Sequence, residues 1–172
     1  MKKLVVILLA VVSFNSCQET QKIGFVDNSE LINEYQEKKD VEARLQAKID
    51  NFKRRTDSLR QAFQLEINDA EIKARKMSQA NIQKLSQELQ QKEQALSQRI
   101  QFEQQQISQE SQSQNDSLIK KVKDFVKDYG QKNGYNFILG SNEAGSVMYG
   151  QETSDLTKTI LDAINAEYKE AN

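Results

Sequence analysis

The side chains that most often carry catalysis are nearly absent from this sequence. It has no histidine and one cysteine, Cys17, so its composition excludes histidine-based acid–base catalysis and zinc sites built from cysteine and histidine. Asp and Glu are abundant, at 25 residues, but we interpret them as solvated helix faces because they converge on no identifiable site. We therefore expect no enzyme activity, no metal and no cofactor.

The surroundings of Cys17 indicate a covalent modification instead. Two lysines near the start, an unbroken apolar run at 4–12 and the small Ser16 are typical of a secretory signal peptide. The apolar run is too short to span a bilayer as a mature helix. The segment resembles the signal of bacterial lipoproteins, which is cleaved directly before a cysteine that is then acylated, although Phe14 and Ser16 replace the usual leucine and alanine or glycine.

We predict a signal peptide at 1–16, a lipidation site at Cys17 and a lipidated tether at 17–21. The acyl chains would anchor the protein to a membrane, at about 0.8 kcal/mol per buried CH₂. The alternative is an ordinary cleaved signal that leaves Cys17 as an unpaired thiol, which is a liability in an oxidising compartment.

The element that follows must be helical. No glycine occurs from Phe25 to Tyr129, the chain has no proline, and Lys, Arg, Glu, Gln, Leu and Ala dominate this stretch. One helix of that length would extend about 150 Å, so we predict a helical hairpin arm at 28–133. Equal arms place its tip near Ala80, within about four residues, with Met77–Asn81 as the best local candidate.

Apolar residues recur along both arms in steps of three and four, which predicts a coiled-coil seam. Two polar positions, Thr56 and Glu66, interrupt the first arm. The predicted seam positions are Leu45, Ile49, Phe52, Thr56, Leu59, Phe63, Glu66 and Ala70, then Ile82, Leu85, Leu89, Lys92 and Leu96, and finally Leu118, Val122, Phe125 and Tyr129.

The segment Ser108–Ser117 has no apolar side chain. With a tip at Ala80 it lies opposite 43–52, so Leu45, Ile49 and Phe52 lack apolar partners in their own hairpin. Either the stems of Gln and Ser cover these three residues, or the hairpin is loose here and offers them to another molecule. We name the three as candidate client-contact residues.

Short strands flank the arm. Lys22–Val26 is apolar and partly β-branched, and Asp27, with Glu30 three residues on, predicts an N-cap for the first helix. Tyr135–Leu139 and Ser146–Tyr149 predict a second and third strand that form a hairpin around the turn at 140–145.

A final helix follows, capped by Thr153 or Ser154. Its predicted apolar face consists of Leu156, Ile160, Leu161 and Ile164.

So small a sheet is marginal alone and has exposed edges, which predicts oligomerisation. The expected fold class is mainly α with a small β part: a long coiled-coil hairpin that projects from a small β-body shared between chains. We expect strand 22–27 and segment 135–168 to belong to this body within a single domain at 22–172. The predicted body core or oligomer contacts are Ile23, Phe25, Phe137, Leu139, Val147 and Tyr149.

The chain resembles the Skp/OmpH-like family of periplasmic chaperones over nearly all of 22–172. The resemblance rests on KIGFVDNSELINEY at 22–35 and on NFILGSNEAGSVMYGQETSDLTKTILDAIN at 136–165. It implies a jellyfish-like homotrimer whose arms enclose a cavity. Such a protein would be an ATP-independent holdase for unfolded outer-membrane or secreted proteins. It would reside in the periplasm, with the lipid anchor most simply in the outer membrane.

Net charge separates this chain from the strongly basic members of that family. Its formal charge is −1, which gives no general attraction to nucleic acid. The alternative function is a membrane-anchored structural coiled-coil spacer or adaptor. That function needs no shared β-body and favours a more continuous seam.

Overall fold

The computed structural model of the chain describes residues 21–142 and 145–171. The predicted signal peptide, the lipidation site at Cys17 and residues 17–20 of the tether lie outside these residues. The fold is mainly α with a small two-stranded sheet, which confirms the predicted class. In chain order the elements are β1 (Ile23–Asp27), α1 (Asn28–Glu34), α2 (Gln36–Ala74), α3 (Gln79–Lys132), β2 (Phe137–Ser141), a 3₁₀ turn (Glu152–Ser154) and α4 (Thr157–Glu170).

Helices α2 and α3 form the hairpin. The turn between them spans 75–78 and overlaps the window predicted around Ala80. Backbone hydrogen bonds from Lys76 to the Lys73 carbonyl and from Met77 to the Ala74 carbonyl, both 3.1 Å, close the turn without glycine or proline. At about 1.5 Å per residue, the 54-residue α3 is about 80 Å long.

The first arm is broken at Tyr35, which the sequence does not reveal. Tyr35 has extended backbone angles (φ −62°, ψ 122°) and separates α1 from α2. Its side chain is buried, and its ring meets that of Tyr168 edge to face at 6.1 Å. The Asn165 side chain accepts a 2.8 Å hydrogen bond from the Gln36 backbone N–H. Contacts with α4 therefore stabilise the helix break at Tyr35, where the sequence has neither glycine nor proline.

Strands β1 and β2 pair in parallel, with Ile23 opposite Phe137 and Asp27 opposite Ser141. Parallel pairing needs a long crossover, and here the whole helical hairpin supplies it. Because the side chains of a strand alternate between faces, Gly24 and Val26 face the helices. A Cβ on Gly24 would approach the Leu156 Cδ1 to 2.4 Å, so only glycine permits this close contact.

The predicted β-hairpin is wrong. Among the described residues 145–149 no strand forms; the chain bends there, and Gly145 has a φ of +85°. The Ser146 hydroxyl bonds the Asn142 side chain instead of aligning a strand beside β2. Met148 and Tyr149 are 89% and 83% exposed. A lone short strand with no apolar surface to cover gains too little to form.

The core of the single chain lies on the helix side of the sheet. The predicted core residues Ile23, Phe137 and Leu139 lie on the opposite face and are 46%, 55% and 47% exposed, so they do not form the chain's own core. Phe25 and Val147 are half-buried and Tyr149 is exposed. The buried cluster comprises Val26, Leu31, Tyr35, Val41, Leu118, Val122, Leu156, Ile160 and Ile164.

The final helix begins later than predicted. Neither Thr153 nor Ser154 caps it, because both lie in the 3₁₀ turn, and the extended Asp155 that follows forms a β-bridge with Phe25 before the helix begins. The Leu156 N–H donates to the Phe25 carbonyl at 2.8 Å. The predicted apolar face is confirmed: Ile160, Ile164 and Leu156 are buried, and Leu161 packs against the cluster.

Candidate binding cleft between the arms

The base of the hairpin is fixed at Asp27. Its carboxylate accepts hydrogen bonds from the Ser29 and Glu30 backbone N–H groups at 2.8 and 2.9 Å, so Asp27 is the N-cap of α1. The Asp27 N–H donates to the Thr157 Oγ1 at 2.8 Å, where a capping box would use Glu30. Thr157 in turn donates its hydroxyl to Asp155. The hydrogen bonds of Asp27 and Thr157 thus connect β1, α1 and α4.

A second polar cluster surrounds the break at Tyr35. The Tyr35 hydroxyl donates to the Glu37 carboxylate, and Lys121 on the opposite arm pairs with the same carboxylate. Burial raises the pKa of Tyr35 well above its ordinary value, and Glu37 raises it further. Burial opposes ionisation of Glu37, but hydrogen bonds from Lys121 and Tyr35 outweigh it and hold the pKa of Glu37 below its ordinary value.

Ion pairs between the arms fix their register. The paired residues are separated along the chain by 84, 62, 48 and 26 positions, and every pair is centred on residue 79. The charge order along α2 from the base is negative, positive, positive, negative, and α3 has the complementary order. The pairs are Glu37–Lys121, Lys48–Glu110, Arg55–Glu103 and Glu66–Lys92.

The seam follows the predicted spacing over much of its length. Thr56 and Ala70 are buried on α2, and Ile107 is buried on α3. Glu66 is not a seam residue, because it is exposed and pairs with Lys92; the neighbouring Ile67 is half-buried in its place. Lys92 leaves the seam for the same reason.

The seam opens where Ser108–Ser117 faces α2. All residues from 111 to 117 are exposed, and a cleft of about 640 Å³ lies between the arms at this level. All three predicted contact residues, Leu45, Ile49 and Phe52, line the cleft. Ile49 is 40% exposed and the other two are half-buried. The two arms therefore fail to cover each other here.

The two walls of the cleft differ in chemistry. Helix α2 contributes the apolar Val41, Leu45, Ile49 and Phe52 together with the paired Lys38 and Glu42, whereas α3 contributes mainly amides and hydroxyls. The buried Ile107 and Leu118 bound the polar wall, where the arms are in contact again. The polar residues that line the cleft are Gln104, Ser108, Ser111, Gln112 and Asn115.

This site offers shape and apolar contact rather than reactive groups. In the described part of the chain no three acidic, His or Cys side chains are placed to hold a metal ion. Along 21–142 and 145–171 no helix is both long and apolar enough to cross a membrane. The fold and the cleft define a binding protein with a projecting helical arm.

Comparison with known proteins assigns the family. A family model described as "Outer membrane protein (OmpH-like)" matches residues 22–164, so the chain belongs to the OmpH-like family. The chaperone protein Skp of Vibrio cholerae is 25% identical over 166 residues, covering 92% of each chain. These relatives are chaperones and not enzymes, and they support a chaperone role for this chain.

The fold also matches a solved structure. A crystal structure described as an OmpH-like outer membrane chaperone from Caulobacter crescentus superposes with a TM-score of 0.75 at 18% identity. The match covers 86% of this chain and 85% of the other. At this identity the likeness establishes the shared fold.

Proposed function

We propose that this chain is an ATP-independent holdase chaperone of the periplasm that binds unfolded outer-membrane or secreted proteins and prevents their aggregation. The observation that carries the proposal is the open seam, where Leu45, Ile49 and Phe52 line a cleft whose α3 wall is polar between the buried Ile107 and Leu118. A holdase must bind many sequences weakly, and a mostly polar surface with scattered apolar contacts suits that requirement. A structural spacer gains nothing from leaving these residues uncovered.

The holdase acts as a homotrimer. The outer face of the sheet carries Ile23, Phe137 and Leu139, each near half exposed, and the paired register places them side by side. A cavity of about 470 Å³ lies between β2 and α3, on the helix side of the sheet, and is lined by further apolar residues, among them Val126 and Ile138. Neighbouring chains that pack on the outer face would bury it and complete the small sheet.

A lipid on Cys17 holds the body close to a membrane, most simply the outer membrane. Lys22 is fixed to the body: its ammonium donates to the Asn133 carbonyl at 3.0 Å and lies 4.0 Å from the Tyr135 ring centre. Five residues of extended chain reach about 18 Å at most. The body would therefore stay near the bilayer, and the mass of the protein extracted in detergent would reveal the acyl chains.

Aggregation of a diluted client tests the holdase. A β-barrel outer-membrane protein, denatured in urea, is diluted into buffer without nucleotide, and light scattering is followed with and without this protein. We expect suppression at three chains per client. A Leu45→Gln, Ile49→Gln variant should lose most of the suppression because two of the four apolar side chains on the α2 wall become polar.

Leu65→Gln is the matched control. Leu65 is on the same helix, is 67% exposed and does not line the cleft, so this variant should protect the client as the unmodified protein does. Undiminished scattering at three chains per client would contradict the holdase and favour the membrane-anchored spacer.

A further inference from the structure

The spacing of side chains in the cleft matches that of an extended strand. Val41, Leu45 and Ile49 are four residues apart on α2, and Gln104, Ser108 and Gln112 have the same spacing on α3. Four residues of helix rise about 6.0 Å, and alternate residues of a strand are about 6.7 Å apart. The mismatch is about 0.7 Å per step, which a segment with three or four side chains per face tolerates.

The width of the cleft favours a strand over a helix. The Lys48 ammonium contacts the Glu110 carboxylate directly across the arms at this level, and Ile107 and Leu118 are buried at either end. The two arms are therefore close enough for a pair of side chains, one from each arm, to span the gap between them. A helix with its side chains is about 10–12 Å across and would force them apart, whereas an extended segment is thinner.

We propose that the cleft binds extended segments in which apolar and neutral polar side chains alternate. The apolar side chains would lie on Leu45, Ile49 and Phe52, and the polar side chains would bond the amides and hydroxyls of the opposite wall. Strands of outer-membrane β-barrels have this alternation. The apolar wall from Val41 to Phe52 is about 16 Å long, the length of about five strand residues.

This inference rests on the proposed function, and it names the chemistry of the client segment. It also implies that the open cleft lowers the stability of the hairpin. Ser111 and Asn115 occupy positions between Ile107 and Leu118 that apolar residues would fill in a regular seam. Leucines at these two positions should pack on Leu45 and Ile49, stabilise the hairpin and close the cleft.

Two fluorescein-labelled ten-residue peptides of one composition test the proposal on the full chain by fluorescence anisotropy. One peptide alternates apolar and polar residues with period two, and the other places the same residues with the 3.6 period of an amphipathic helix. We expect the alternating peptide to bind at least tenfold more tightly. Ser111→Leu, Asn115→Leu should weaken its binding at least tenfold while raising the thermal unfolding temperature.

The control is Ser97→Leu, Gln101→Leu, which adds two leucines at exposed positions of the same helix outside the cleft and should bind the peptide as the unmodified chain does. A stabilised variant that loses binding has not failed to fold. Equal affinity for the two peptides, or unchanged binding by the filled variant, would overturn the proposal. If the protein suppresses client aggregation but binds both peptides equally, the holdase proposal stands and this inference fails. If it prefers the alternating peptide but does not suppress aggregation, the cleft specificity stands and the holdase proposal fails.

Discussion

At the scale of single residues, Thr157 joins parts of the chain that are far apart in sequence. Its hydroxyl accepts from the Asp27 N–H and donates to Asp155, and the residue is buried. Asp27 is then free to cap α1 with its carboxylate. A few short-range hydrogen bonds thus set the direction in which the arm leaves the body.

Replacement of Thr157 by valine should destabilise the protein by about 1 kcal/mol, because the partly buried Asp27 N–H loses its partner. Urea unfolding at one fixed chain concentration measures the loss. Thr157→Ser keeps the hydroxyl and should recover most of it. Equal stability of the valine and serine variants would show that the hydrogen bond contributes nothing.

Glu37 should make stability depend on pH in acid. Its folded pKa lies below the ordinary value of 4.5, because hydrogen bonds from Lys121 and Tyr35 outweigh burial. Its contribution is therefore complete above about pH 4.5 and is lost as the pH falls through the folded pKa. The difference in unfolding free energy between the unmodified chain and Glu37→Gln should shrink as the pH drops from 7 to 3; a constant difference would contradict this assignment.

The sequence predicted some of these residues and not others. Asp27 could be found because N-caps have a local signature. Thr157 could not, since its partner is 130 residues away and buried threonines carry no pattern. The failure of Thr153 and Ser154 as caps has the same origin: Asp155 forms a bridge to β1 between them and the helix, and that contact is long-range.

At the scale of elements, the register of the hairpin is encoded in charge. Each exposed ion pair contributes little stability by itself, but a slip of eleven residues would place Glu37 opposite Glu110 and Arg55 opposite Lys92. The complementary order of four charges on each arm therefore disfavours alternative alignments. This matters most where the seam opens, because apolar packing cannot align the arms there.

Reversing one charge tests the register. Lys48→Glu places a carboxylate opposite Glu110 and should lower the free energy of unfolding, and Glu110→Lys should do likewise. The double exchange restores the pair and should recover stability, with a coupling energy of about 0.2–1 kcal/mol because both groups are exposed. Strictly additive effects in this cycle would show that the pair does not set the register.

Periodicity predicted the elements well where the fold is regular. The seam, the tip and the open stretch all follow from apolar spacing and symmetry about the turn. The break at Tyr35 and the missing third strand do not, because both depend on contacts with other elements. Tyr35 is held extended by its packing on α4, and Tyr149 finds no surface within the single chain.

At the scale of the whole molecule, the exposed outer face of the sheet is the strongest reason to expect an oligomer. Phe137→Asp should convert the proposed trimer to single chains, since Phe137 is 55% exposed and its replacement spares the chain's own core. Analytical ultracentrifugation measures the mass. Leu65→Asp, on the arm, should leave the mass of the proposed trimer unchanged. A trimeric Phe137→Asp variant would place the interface elsewhere.

The arm and the body differ in how densely they are packed. The buried core of the chain lies where the body meets the base of the hairpin, and beyond it the arms have only a thin seam that opens over 111–117. Local stability should follow this division, because backbone amides in thinly packed regions exchange through low-energy openings. A client that fills the cleft should then protect the same amides.

Hydrogen exchange along the hairpin, with and without an unfolded β-barrel client, tests this account most directly. In the free protein, 43–52 and 108–117 should exchange faster than 118–130 at the base, and they should become protected when the client binds. Leu65, outside the cleft, should lie in a segment whose exchange the client leaves unchanged. Equal protection of 43–52, 108–117 and the base in the free protein, or no change on adding client, would contradict the account.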